Sequence, residues 1–217
     1  MQMYNSEKVK KTLYLVIQIL EKHKVEYRLL GSIVSAAIIG KQHRNLGDID
    51  LIVDRTKREI ILDELHQLGY FQRDGMFAFS RKYLDLDSLV HETYLEVGMF
   101  WGVWSEKKDF VIGTVNNGVK IDAKALIKTK YMLHDVFFYG LPKEVIARGL
   151  LMSSKNPKRQ FELSYFKQHH IHAMDSNYIH TSVMGMKVDF IYYLGMQILN
   201  IIGFFRVIIG KPFDPWR

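Results

Sequence analysis

The first periodic signal in the chain is helical. Val9, Leu13, Val16, Ile17 and Leu20 recur at three-to-four spacing with polar residues between them, and Ser6 stands ahead of them as a candidate N-cap. This spacing gives one buried helix face. Residues 25–30 are a short apolar run that predicts a first strand, and residues 33–39 predict a small helix. The period then changes to two. In Gly47-Asp48-Ile49-Asp50-Leu51-Ile52-Val53 the alternation predicts a second strand, with Ile49, Leu51 and Val53 turned toward a core. Asp48 and Asp50 must then leave the opposite face together, because successive strand side chains alternate. Thr56-Lys57-Arg58-Glu59 has the form of a capping box. Ile61, Leu65 and Leu68 line one face of the helix it would start, and Gly69 stands where a glycine stop is expected.

Two more strands are expected at 76–83 and 93–101; in the second, Tyr94, Glu96, Gly98 and Phe100 share a face. Residues 110–121 read as a hairpin turning at Asn117-Gly118. From Asp122 the pattern becomes helical to the end, punctuated by Gly140, Pro142 and Pro157. The order predicts an α+β fold, a mixed sheet flanked by helices and followed by a helical C-terminal region. The expected division is an α/β domain over 1–121 and a helical domain over 122–217.

Composition narrows the chemistry only a little. With 217 residues, 48% of them apolar and 24% charged, the chain has the make-up of a globular protein. It has no cysteine, which removes disulfides and thiolate catalysis and fits a cytoplasmic location. The polar, basic N-terminus has no apolar signal core. A net charge of +7 favours polyanionic partners such as nucleotides, RNA or anionic lipid heads.

The carboxylate pair adds more. Two like charges that approach to about 4 Å repel by roughly 4 kcal/mol at an effective dielectric near 20. Side by side on a stiff strand they call for a cation, and hard cations such as Mg²⁺ take carboxylate oxygens. Upstream, Leu29-Leu30-Gly31-Ser32 joins the first strand to the small helix. Glycine lets the backbone approach a ligand, Ser32 can cap the helix, and free N–H groups at a helix start favour anions. The order Gly-Ser, helix, Asp-x-Asp resembles the signature of the polymerase-beta-like nucleotidyltransferase superfamily. The resemblance covers about residues 1–130. It implies a nucleotidyltransferase-type sheet, a nucleoside triphosphate held at Gly31 and Ser32, and one or two Mg²⁺ ions held by Asp48 and Asp50.

The resemblance also implies a third acid on a neighbouring strand, completing the metal site and serving as base. Glu96, inside Tyr94-Leu95-Glu96-Val97, is the expected residue; Asp85 and Asp87 compete, although Ser88 follows at once and suggests a strand end entering a loop. Arg44, four residues before Asp48, matches an arginine of the abortive-infection-type nucleotidyltransferase toxins, whose pattern is Arg-x-Thr/Ser-x-Asp; Leu46 departs from it. Those relatives carry a phosphate-contacting lysine on the helix after the sheet, for which Lys128 and Lys130 are candidates and Lys130 is preferred. Lys158-Arg159-Gln160-Phe161-Glu162-Leu163 loosely resembles their later Lys-Asp-x-x-Asp-Leu motif.

The expected activity is Mg²⁺-dependent transfer of a nucleoside monophosphate with release of pyrophosphate. The acceptor is RNA, as in the toxin branch, or a small hydroxylated molecule, as in the antibiotic nucleotidyltransferases. The rival expectation is a binding module that keeps the fold without the reaction. His169-His170-Ile171-His172 lacks metal-ligand spacing and reads as a solvated basic patch. Residues 190–210 are almost wholly apolar, broken by Gln197, Asn200 and Arg206. A buried helix of the C-terminal region is the expectation there, with membrane contact as the alternative.

Overall fold

The computed structural model describes residues 4–73, 85–113, 118–175, 178–183 and 186–187. The expected strand over 76–83, the Asn117 turn position and the apolar segment 190–210 lie outside these residues.

Helix α1 (Ser6–Lys22) buries the predicted stripe: Val9, Leu13 and Leu20 are wholly inaccessible. Its N-cap is Asn5, not Ser6, and the Asn5 side chain has a task farther away. Its amide oxygen accepts from the Leu46 N–H and from Gln42, while its amide nitrogen donates to the Leu46 carbonyl at 2.7 Å. Leu46 is buried, so the start of α1 pins the segment that feeds the carboxylate strand.

Strand β1 (Tyr27–Leu30) runs directly into α2 (Gly31–Ile39). The N-cap is Leu30 and makes no side-chain cap; Ser32 lies inside the first turn and is buried, so it does not cap the helix as expected. Strand β2 (Asp48–Asp54) follows, with Ile49, Leu51 and Val53 wholly buried as the alternation requires. The capping box at Thr56 is not used. Asp54 accepts from the Thr56 N–H at 2.8 Å and caps a 3₁₀ turn over Arg55–Lys57, after which α3 (Arg58–Gln67) begins. Gly69 stops the helix at a φ of +89°.

Strands β3 (Phe71–Gln72), β4 (Leu86–Val90), β5 (Glu96–Trp104), β6 (Phe110–Gly113) and β7 (Gly118–Ile121) come next. The helical expectation from Asp122 holds for α4 (Lys143–Met152) and α5 (Gln160–Gln168). It fails over Ile179–Val183 and Met186–Lys187, which are strand, and over 129–140, where β8 (Thr129–Leu133) and β9 (Val136–Gly140) form a hairpin. Thr129, Tyr131, Val136 and Phe138 are β-formers, and their alternation carries a period of two. Strands β10 (Ile179–Val183) and β11 (Met186–Lys187) complete the described set.

All eleven strands join one mixed sheet, ordered β11-β10-β7-β6-β5-β2-β1-β9-β8, with β4 also paired to β5 and β3 to β4. β2 is central: antiparallel to β1, parallel to β5. Helix α2 packs on β1, β2 and β8 and against α4 and α5, while α1 packs on α3 and β9. A parallel pair inside a sheet needs cover on both faces, which these helices supply.

Asp87 shows how the register allocates charge. It pairs with Met99 on β5, whereas Ser88 pairs with Gly98. Asp87 therefore points to the face opposite Asp50, where it is buried and accepts from the Trp101 indole at 2.8 Å and from two nitrogens of Arg58 at 2.9 and 2.7 Å. Replacing it leaves a buried indole N–H and a guanidinium without their acceptor. Asp87→Ala is expected to destabilise the fold by about 2–3 kcal/mol, lowering Tm by roughly 5–10 °C. Thermal denaturation followed by circular dichroism checks this, and an unchanged Tm would show that the network carries no stability.

Candidate active site

The register across β1, β2 and β5 builds the site. Leu30 is opposite Asp50 on one side of β2; Glu96 is opposite Asp48 and Gly98 is opposite Asp50 on the other. Residues in register share a face, so Asp48, Asp50 and Glu96 all project from one side of the sheet. Gly31 follows Leu30 directly, at a φ of +71° that favours glycine.

Asp50 is held between two glycines. A Cβ on Gly31 would stand 3.1 Å from its Oδ2, and one on Gly98 would stand 2.7 Å from its Oδ1. The second distance is too short for any side chain, so Gly98 is the space in which the carboxylate lies. Asp50 keeps some accessible surface, yet protein atoms crowd it from nearly every direction, and this crowding governs its proton affinity. Burial is the main cause that raises its pKa from 3.8 to about 8; the Asp48 charge adds to the rise, Glu96 adds less, and Arg159 opposes it.

Glu96 is oriented at both oxygens. Ser88 Oγ donates to Oε1 at 2.5 Å, and an Arg73 nitrogen donates to Oε2 at 2.5 Å. Among the three competing acids, Glu96 alone projects beside Asp48. Asp87 is committed to Trp101 and Arg58 on the opposite face, and Asp85, at a φ of +47°, pairs with Arg55. No group of three or more potential metal ligands lies close enough to hold an ion among the described residues. The Asp48–Asp50 pair has the hard oxygen donors and the mutual repulsion that suit a divalent cation. Glu96 has its oxygens engaged by Ser88 and Arg73.

The basic residues fall into two groups. Arg44 Nε lies 3.2 Å from Glu162 Oε1 on α5, and Arg159, in the 3₁₀ turn before α5, lies 3.6 Å from the same oxygen. Burial depresses the Arg159 pKa most, the Arg44 charge adds to that, and Glu162, Asp48 and Asp50 oppose it. Arg159 thus stands within the electrostatic reach of both the carboxylate pair and Arg44. Lys128 and Lys130 are not on a helix. Lys130 sits in β8, three strands from β2, or about 14 Å at the usual strand spacing. Its ammonium lies 4.4 Å from the Phe137 ring centroid, and that of Lys128 lies 4.1 Å from the Tyr139 ring centroid.

Sequence patterns locate Gly31, Asp48, Asp50 and Glu96, which the fold brings together, and Arg44, which reaches Glu162. They do not reveal Gly98, Ser88, Arg73 or the roles of Arg159 and Glu162. The one available signal was the loose 158–163 motif, which puts Arg159 and Glu162 on one helical face.

Comparison with known proteins bears on the fold and on one segment of the chain. Residues 12–94, which include Gly31, Asp48 and Asp50, match the sequence model of the aminoglycoside-2''-adenylyltransferase family. No curated protein matches the chain. Among solved structures, the lincosamide antibiotic adenylyltransferase LnuA bound to lincomycin is 20% identical, with a TM-score of 0.58 over 73% of this chain and 96% of that one. The antibiotic-resistance factor ANT(2'')-Ia is 11% identical, with a TM-score of 0.50 over 76% of this chain and 94% of that one. The chain thus shares the fold of these nucleotidyltransferases, and its motif-bearing segment is similar to the aminoglycoside-2''-adenylyltransferase family.

Proposed function

We propose that the chain transfers a nucleoside monophosphate from a nucleoside triphosphate to a hydroxyl of a small antibiotic-type acceptor, releasing pyrophosphate. The observation that carries this is the register placing Asp48, Asp50 and Glu96 on one face beside the Gly31 turn. The family model over 12–94 and the lincomycin-bound relative favour a small hydroxylated acceptor over RNA and over a toxin role.

Asp48 and Asp50 would hold Mg²⁺, which when bound neutralises phosphate charge and draws the reacting oxygens together. Gly98 and Gly31 leave the room that the Asp50 carboxylate occupies. Gly31 and Ser32 present the first turn of α2 to the phosphate chain, and Arg44 adds positive charge. Glu96, held by Ser88 and Arg73, would accept the proton of the acceptor hydroxyl at a carboxylate oxygen.

The activity test incubates the protein with Mg²⁺, each labelled nucleoside triphosphate, and either lincosamides and aminoglycosides or total RNA. A nucleotidylated small molecule and stoichiometric pyrophosphate are expected. Asp48→Asn, Asp50→Asn and Glu96→Gln should each lower the rate by about 100-fold or more. Pyrophosphate release that survives in the Asp48→Asn/Asp50→Asn double variant would refute the mechanism, labelled RNA alone would reassign the acceptor, and nucleotide binding without any product would mark a binding module.

Asp50 gives a second test. Its carboxyl binds a proton in the folded chain that the unfolded chain has released between about pH 4 and about pH 8. Stability therefore falls as pH rises through that window. Without Mg²⁺, Asp50→Asn should melt a few degrees above the wild type at pH 8, as about 1–2 kcal/mol does in a chain of this size, and the gap should close as pH falls toward about 4. Mg²⁺ competes with that proton, so it should raise the wild-type Tm more at pH 8 than at pH 6 and leave Asp50→Asn little changed. Parallel melting curves across pH would contradict the burial of this carboxylate.

A further inference from the structure

Glu162 has no accessible surface, an expensive position for a carboxylate. Its Oε1 is the meeting point of three basic side chains: Arg44 at 3.2 Å, His43 at 3.2 Å and Arg159 at 3.6 Å. His43 is itself held by stacking on Phe161, with 4.6 Å between ring centroids. Its ring nitrogens and Glu162 Oε2 have no aligned hydrogen-bond partner among the described residues. A buried acid with one oxygen unsatisfied is a poor stabilising device, since a well-packed apolar residue does as well or better. The arrangement does accomplish one thing. It draws two arginines from segments more than a hundred residues apart in the chain to one point, where one carboxylate lies within ion-pair range of both. The surplus positive charge faces Asp48 and Asp50, whose fields act on Arg159. Once a divalent cation neutralises that pair, the arginines need another anion.

We propose that Glu162 is a positioning residue that locks Arg44 and Arg159 into a two-arginine cradle for the phosphate chain of the nucleotide. The proposal rests on the nucleotidyl-transfer reading and adds to it a residue outside the sheet. Glu162 touches no substrate; it sets the spacing of the two guanidiniums. Arg159 replaces Lys130 as the second phosphate cation, and the 3₁₀ turn before α5 brings it there.

Inorganic tripolyphosphate, titrated calorimetrically with Mg²⁺ present, reads the cradle independently of catalysis. Glu162→Gln is expected to weaken binding about tenfold and to raise KM for the nucleotide by a similar factor while kcat changes little. Arg44→Ala should lose at least as much, and the Arg44→Ala/Glu162→Gln double variant should bind no worse than Arg44→Ala alone, because the two act as one unit. Additive losses, or wild-type affinity in a folded Glu162→Gln, would overturn the cradle. If Glu162→Gln does not fold, Arg159→Gln substitutes for it: a tenfold loss supports the cradle and full affinity refutes it. Wild-type protein that transfers nucleotide but shows no tripolyphosphate binding refutes the cradle alone; wild-type protein that does neither refutes the underlying reaction as well.

Discussion

Like charge crowded onto one side of a central strand is the constraint to which the rest of the structure answers. The period of β2 obliges Asp48 and Asp50 to share a face, and its parallel pairing with β5 sets Glu96 beside Asp48. A surface strand would let water screen these charges. Here β2 lies between β1 and β5 under helices, so water is largely replaced by protein and Asp50 holds its proton to about pH 8. A fold under selection for stability alone would remove one of the acids.

The surroundings read as responses to that constraint. Two glycines make the space in which Asp50 sits, and a side chain at Gly98 would collide with it. Asn5 ties down Leu46, so the strand enters at a fixed height relative to α1. Arg73 and Ser88 take the charge of Glu96, and Arg159 moderates that of the aspartates. Asp87 belongs to a separate system on the other face, where it ties β4 to β5 and α3 through Trp101 and Arg58. Two neighbouring acids, Asp87 and Glu96, thus have unrelated tasks because a strand pleat sends them to opposite sides.

The parts of this arrangement that depend on local period were legible in the sequence. The α1 stripe, the β2 alternation, the Gly31 turn and the choice of Glu96 rest on spacings of two or about four residues, which the backbone imposes directly. What depends on pairing between distant strands was not legible. Nothing near Gly98 announces that Asp50 will fill its place, and Asp87 looked like a loop acid because its strand is recognised only through its partner β5. The 129–140 hairpin was taken for helix because the Lys-rich stretch before it is a good helix former, while the pairing of β9 with β1 decides the outcome. Leu46, a departure from the toxin pattern, proved to be a buried anchor and not a lost polar contact.

The missing three-carboxylate cluster follows from the same electrostatics. Drawing Glu96 closer without a cation would strengthen its repulsion with both aspartates, where Asp50 already keeps a proton. Glu96 instead turns to Arg73 and Ser88, and Arg159 leans on the aspartates, so the resting face is balanced by its own arginines. Such a balance costs little to exchange. A divalent cation entering with a nucleotide would bring positive charge to the aspartates, and the phosphates would bring negative charge to the arginines, so each internal partner would be replaced by one of equal sign. In the proposed cradle the arginines that balance the aspartates are also those that would meet the phosphates. Affinity for the pair should therefore exceed affinity for either charge alone, because one without the other leaves an unmatched charge in a poorly solvated place.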